Sequence, residues 1–286
     1  MVFLRCSFGQ DYTAYLSPSR LKIWLVFILM LSTGAIVLAA NYNFTVVATD
    51  GDIIDGHVLV LDQQSSLSLP AINDSGEVIF TATFQGGRGI FSRTRAIVTE
   101  GDKVDGHVLK DISGNPDINS GGTVVYRASF SDGDDIFTGV GIFTESDLLF
   151  STSQLVGDLE ITAFPQSVLS INDNGNVAIM VRGTDVNTGM SVAHVIDRMG
   201  TIAVPGDILG EKIITEISQN PGAFVSINNA DQVTFQATYD GKKGIFSRNN
   251  FLTGEGESVN GRVIDSIAAQ TVITGTPKLE WEQFTL

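Results

Sequence analysis

The chain has 286 residues, 43% of them hydrophobic, with 30 glycines, 17 phenylalanines and only 17% charged residues. That length accommodates one large domain or two modest ones, and the glycine- and phenylalanine-rich mix fits short strands and tight turns better than a helical bundle. A net charge of -15 excludes nucleic acid as a partner, because phosphates demand Lys and Arg, and leaves a solvated acidic surface or a cation-binding one.

In chain order, residues 1–22 read as a short cytoplasmic or n-region that ends near Arg20 and Lys22. Residues 23–40 (IWLVFILMLSTGAIVLAA) are uncharged and apolar. As a helix this run would span about 27 Å, marginal for a bilayer core of about 30 Å. Its small-residue ending, with Val37 and Ala39 suited to the -3 and -1 positions of a signal-peptidase site, favours a cleaved signal peptide. The long segment ahead of it favours a retained transmembrane anchor. Both readings predict one N-terminal hydrophobic helix and place residues 41–286 outside the cytoplasm, whether secreted, periplasmic or anchored. The lone cysteine, Cys6, precedes the run, so residues 41–286 hold no thiol for a disulfide or a Cys-ligated zinc.

Beyond residue 40 one pattern returns four times: AINDSGEVIFTATF from Ala71, DINSGGTVVYRASF from Asp117, SINDNGNVAIMVRG from Ser170 and SINNADQVTFQATY from Ser226. The shared residues are Asn73, Asn119, Asn172 and Asn228. A second marker, Gly-Ile-Phe, follows at Gly89, Gly141 and Gly244, with Gly189-Met190 as its degenerate form in the third copy. A third marker is an acidic glycine turn led by Asp52, Asp102, Asp158, Asp207 and Glu257. Three markers keeping a period near 50 residues define about five copies of one unit.

Each marker has a physical task. Asn-Asp-x-Gly between apolar runs is a turn, since Asn and Asp bond their own backbone and Gly tolerates left-handed angles. In the fourth copy Asp231 stands where Gly76, Gly122 and Gly175 stand in the others, and Asp also tolerates that conformation. After the turn Val78, Phe80, Ala82 and Phe84 alternate with Glu77, Ile79, Thr81 and Thr83, the period of a half-buried strand. Four strands are expected per unit, near residues 67–72, 77–84, 89–93 and 96–99. Four antiparallel strands in about 50 residues is the length of a propeller blade. Residues 43–48 (NFTVVA) look like the last strand of a unit without a beginning, and residues 262–286 like a unit without an ending. The expected fold is therefore all-β, a propeller-like array over residues 41–286 with five blades closed by both termini, the alternative being an open array of four to six units.

The unit resembles the NxxGxxxAF tandem repeat of exported bacterial "choice-of-anchor" proteins, on Asn73 and Gly76, Asn119 and Gly122, and Asn172 and Gly175, with the aromatic position at Phe80, Tyr126, Ile179 and Phe235. The resemblance implies an envelope location and a propeller-like fold, and brings no established activity. Residues 262–286 lack the hydrophobic sorting tail such proteins often carry.

Chemistry is thinly marked. Asp50, Asp52 and Asp55, and residues 131–135 (SDGDD), are carboxylate clusters of a kind calcium uses, but they match no known calcium loop and turn formation is the favoured reading. His57 and His107 share one repeat position and read as a structural feature between blades; His194 stands alone. No nucleophile elbow or phosphate loop is present, and no catalytic, cofactor or metal residue is assigned. The expected function is a non-enzymatic binding or scaffold module of the cell envelope. It would be monomeric, with a protein or glycan partner and membrane contact only through residues 23–40. The alternative is a polysaccharide hydrolase or lyase on a propeller, by analogy of fold.

Overall fold

A computed structural model describes residues 2–8, 10–16, 44–61, 69–133, 137–165, 169–217 and 224–267. These residues are all-β. The apolar run at residues 23–40 and most of the proposed closing stretch lie outside the described residues. Among the described residues no helix is long and apolar enough to cross a membrane.

Four consecutive units share one antiparallel strand order. In the first, His57–Val60 and Ala71–Ile72 lie along one edge of Val78–Phe84, Gly87–Ser92 lies along the other, and Ala96–Thr99 forms the far edge. The acidic turn adds a two-residue arm, Ile53–Ile54, paired with His57–Val60. The second unit repeats this with His107–Ile118, Val124–Ser131, Phe137–Phe143 and Leu148–Ser151. The third is centred on Val177–Asp185 and the fourth on Val233–Tyr239. A further hairpin, Ser258–Val259 with Arg262–Val263, follows the fourth unit.

The expected second, third and fourth strands are present. The first differs. It starts directly after the acidic turn, at His57 and not near residue 67, because the returning arm of that hairpin continues into the sheet. In the second unit it is one strand of 12 residues with two register shifts. In the first unit residues 62–68, outside the described set, separate its two parts.

Both faces of each central strand are buried, which explains why its alternation has an apolar second face. Phe80 and Ala82 join Val47, Ala48 and Ile54 in one core. The opposite face, with Ile79, Ile90 and Val98, packs on Tyr126, Ala128 and Phe143 of the second unit. Val125, Ile142 and Phe150 then meet Ile161, Ile179 and Val181 of the third. Ala178, Met180 and Val195 meet Phe235, Ala237 and Phe246 of the fourth. The sheets therefore stack face to face, and each core belongs to two units. Full burial of a Phe or Ile side chain is worth ~1.5–3 kcal/mol, so no unit could retain this stabilisation alone.

The glycine of Gly-Ile-Phe serves this packing. A Cβ on Gly89 would stand 2.8 Å from the Val98 carbonyl oxygen and 3.0 Å from the Phe91 ring. A Cβ on Gly244 would stand 2.9 Å from the Phe246 ring. The phenylalanine two residues on needs the bare backbone.

Register corrects two markers in the third copy. Phe80 pairs with Phe91 and Phe235 with Phe246, whereas Ile179 pairs with Ile196. The third counterpart of Gly-Ile-Phe is thus His194-Val195-Ile196, and Gly189-Met190 belongs to the preceding turn. Where the aromatic ring shrinks to Ile196, His194 occupies the glycine position. The acidic position of the third turn is likewise Gln154, not Asp158. Ile161 N–H donates to the Gln154 carbonyl as Leu59 N–H donates to that of Asp52, at 2.9 and 2.8 Å. Gly157-Asp158 is the counterpart of the tight turn Asp55-Gly56.

Candidate functional site

The most organised polar system is a ladder of the repeated asparagines. Asn73 Nδ2 donates to the Asn119 carbonyl at 3.1 Å, Asn119 Nδ2 to the Asn172 carbonyl at 3.0 Å, and Asn172 Nδ2 to the Asn228 carbonyl at 2.8 Å. All four asparagines are buried. Each Oδ1 accepts the backbone N–H four residues on, from Glu77, Thr123, Asn176 and Gln232, at 2.9 Å in every case. One side chain thus closes its own turn and bonds the next unit. Asn228 turns inward instead, donating to Gln232 Oε1 at 2.9 Å.

The turn glycines do what the sequence reading requires: Gly76, Gly122 and Gly175 have φ of 79°, 82° and 77°, and Asp231 has φ of 58°. The ladder itself was not foreseen. Asn was read as a residue that tolerates turn geometry, a task Asp or Gly also performs. The signal lay in its invariance at one position, since of these three residues only Asn has a side chain that both donates and accepts.

Exposed turn residues add cross-unit bonds around the ladder. Ser120 N–H donates to Asp173 Oδ1 at 2.8 Å, Asn229 Nδ2 to Asp173 Oδ2 at 2.6 Å, and Asn176 Nδ2 to Asp231 Oδ1 at 2.8 Å. These donors hold the Asp173 and Asp231 carboxyls below the ordinary carboxylate range. Asp117 Oδ2 accepts from Ile171 N–H at 3.0 Å across the next junction, and burial pushes its carboxyl up.

The acidic turns work differently. Asp52 Oδ2 accepts from Thr49 N–H and Asp102 Oδ2 from Thr99 N–H, each at 2.7 Å, and Asp207 Oδ2 from Val204 N–H at 2.9 Å. The Thr49 donors lower the Asp52 carboxyl. Asp50 Oδ1 accepts from Leu61 N–H at 2.9 Å, and Asp55 Oδ2 from Ala96 N–H at 2.8 Å. The three carboxylates considered for calcium therefore each bond backbone N–H groups. No cluster of three or more His, Cys, Asp or Glu suited to a metal occurs among the described residues. In the second cluster, residues 134–136 lie outside the described set.

The histidines pack within units. His57 lies 4.3 Å from the Phe84 ring and His107 4.6 Å from the Phe130 ring, centroid to centroid. The fourth unit places Lys212 Nζ over the Tyr239 ring at 5.1 Å. This position seats each acidic hairpin on the end of its own central strand. His194 is buried with neither ring nitrogen hydrogen-bonded, and desolvation lowers its pKa.

No protein-family model matches the chain, and a search of curated proteins finds no match.

Proposed function

We propose that this chain is a non-enzymatic repeat scaffold of the cell envelope. It would be a five-bladed propeller-like ring, related to the exported repeat proteins it resembles, that holds a protein or glycan partner, with residues 23–40 as its membrane contact. The carrying observation is the asparagine ladder. The most repeated polar side chain of the sequence is buried and bonded from unit to unit, so its recurrence is accounted for by assembly. The Asp52, Asp102 and Asp207 carboxylates cap their own turns in the same spirit. Residues that recur for architecture leave function to the exposed turns, where sequence differs between units. The test is capture from solubilised envelope material and cell-wall polysaccharide by the immobilised full-length chain, in calcium and in EDTA. A partner retained in either buffer supports the reading. Release of new reducing ends from the polysaccharide would contradict it.

A further inference from the structure

The two end faces of the four-sheet stack are buried. On the first sheet Phe80 and Phe91 are both 0% exposed; on the fourth, Gln236 is 4% and Ile245 1% exposed. The described apolar neighbours of the fourth sheet's far face, Val259, Ile264 and Ile267, come from the start of a fifth unit and follow the pattern of earlier first strands. Ile267 N–H donates to Glu255 Oε1 as Ile112 N–H donates to Glu100 Oε1, at 3.1 and 3.3 Å. That unit still needs a central strand.

The start of the chain carries one. Val2–Phe8 (VFLRCSF) matches Val78–Phe84 (VIFTATF) and the first seven residues of Val124–Ser131 (VVYRASF) position by position. Val leads all three, Arg5 matches Arg127, and Phe8 matches Phe84 and Phe130. The aromatic of the returning strand stands thirteen residues after the leading Val at Phe91 and Phe246, and Tyr15 stands thirteen after Val2. Val2–Phe8 and Gln10–Leu16 pair antiparallel, as the central strands of every unit do, with Tyr15 opposite Phe3, one position away from the register that sets Phe91 opposite Phe80. Phe44–Val46, which leads into the first acidic turn, joins them as a third strand. It pairs with the leading strand, where the complete units pair it with the returning one.

We infer that the chain's own N-terminal hairpin is the central hairpin of the fifth sheet and docks on the far face of the fourth, with its first strand supplied from residues 262–267. This rests on the ring in the proposed function and corrects how it closes: three strands come from the N-terminal side, not one. Eleven residues separate Phe91 from Asp102, and thirty-seven separate Tyr15 from Asp52. The additional twenty-six include the apolar run, which then interrupts a repeat unit and does not precede the array. A competing occupant, residues 279–285 (LEWEQFT) with Trp281 at the aromatic position, puts Glu280 where the other units have Ile79, Val125, Ala178 and Thr234.

The only thiol of the chain reports on this directly. Cys6 takes the repeat position of Ala82, Ala128, Val181 and Ala237, all 2% exposed or less. Ser7 takes that of Thr83, Ser129, Arg182 and Thr238, all partly or fully exposed. The experiment is maleimide labelling of the full-length chain recovered from cells, native and urea-unfolded, beside a Cys6→Ser, Ser7→Cys variant. Native Cys6 is expected to react about a hundredfold more slowly than in urea, and the residue-7 thiol within about tenfold of its unfolded rate. Equal reactivity at the two positions, fast or slow, overturns the inference. So does recovery of a folded chain that has lost residue 6. Partner capture does not depend on the thiol, so the two proposals fail separately.

Discussion

The asparagine turns and the acidic hairpins are built from the same residues, Asn, Asp and Gly, at the same period, yet they do opposite things. At the asparagine turns the side chain is buried and spends its donor on the next unit, as in Asn119 to Asn172. At the acidic hairpins the leading carboxylate is spent within four residues, as in Asp102 to Thr99. Repetition by itself does not distinguish a residue that joins units from one that shapes a unit. Burial together with the direction of the hydrogen bond does.

The largest effect that would sharpen this contrast belongs to Asn119→Ala. It removes the bond to the Asn172 carbonyl and leaves the Thr123 N–H without its acceptor. Denaturant unfolding should show a loss of about 3 kcal/mol, since each buried group left unsatisfied costs about 1–3 kcal/mol. Asn228→Ala should cost clearly less, because that amide bonds only within its own turn. Equal losses at the two positions would break the comparison.

A smaller effect comes from Gly141→Ala. The new Cβ would stand 2.8 Å from the Phe143 ring and 3.1 Å from the Phe150 carbonyl oxygen, and the thermal midpoint should fall in keeping with about 1–3 kcal/mol of overpacking. Gly101→Ala meets nothing within 4 Å, so its cost should be only that of an alanine at φ of 94°. At the hairpins Asp102→Ala removes one cap and should cost about 1 kcal/mol by chemical unfolding. That loss should leave the neighbouring sheets' hydrogen-exchange protection intact.

The smallest effect is in pH dependence. Burial depresses the His194 pKa below its ordinary 6.5, so its contribution to stability is present above that value. It is lost as pH falls from 6.5 towards and through the folded value, because the unfolded chain takes up the proton first. His194→Leu should flatten the stability profile in that window. Asp52, Asp173 and Asp231 are also depressed, so what they contribute is present above the ordinary carboxylate value of 3.8 and is lost as pH falls through their folded values. Acid titration of the leucine variant should retain this lower transition.

Much of the architecture was legible because it rests on local periodicity. The alternation from Val78 to Phe84 marked a strand, and Ala96–Thr99 lies where its apolar residues and flanking turns put it. What escaped depends on contacts between distant residues. His194 carries no glycine-like letter, and only its pairing with Val181 shows that it stands in the place of Gly89. Gln154 was passed over for Asp158 because charge was matched where backbone bonding is what repeats. Residues 1–22 were read as a leader from the apolar run beside them, and within that stretch Val2–Phe8 forms a strand.

Hydrogen exchange on the Asn119→Ala variant tests most directly whether the ladder couples one unit to the next. The account predicts faster exchange in the turn at residues 172–176 of the third unit as well as at residues 119–123, because the Asn172 carbonyl loses the donor supplied by Asn119 Nδ2. Faster exchange confined to residues 119–123 would contradict it and reduce the ladder to four independent turn locks.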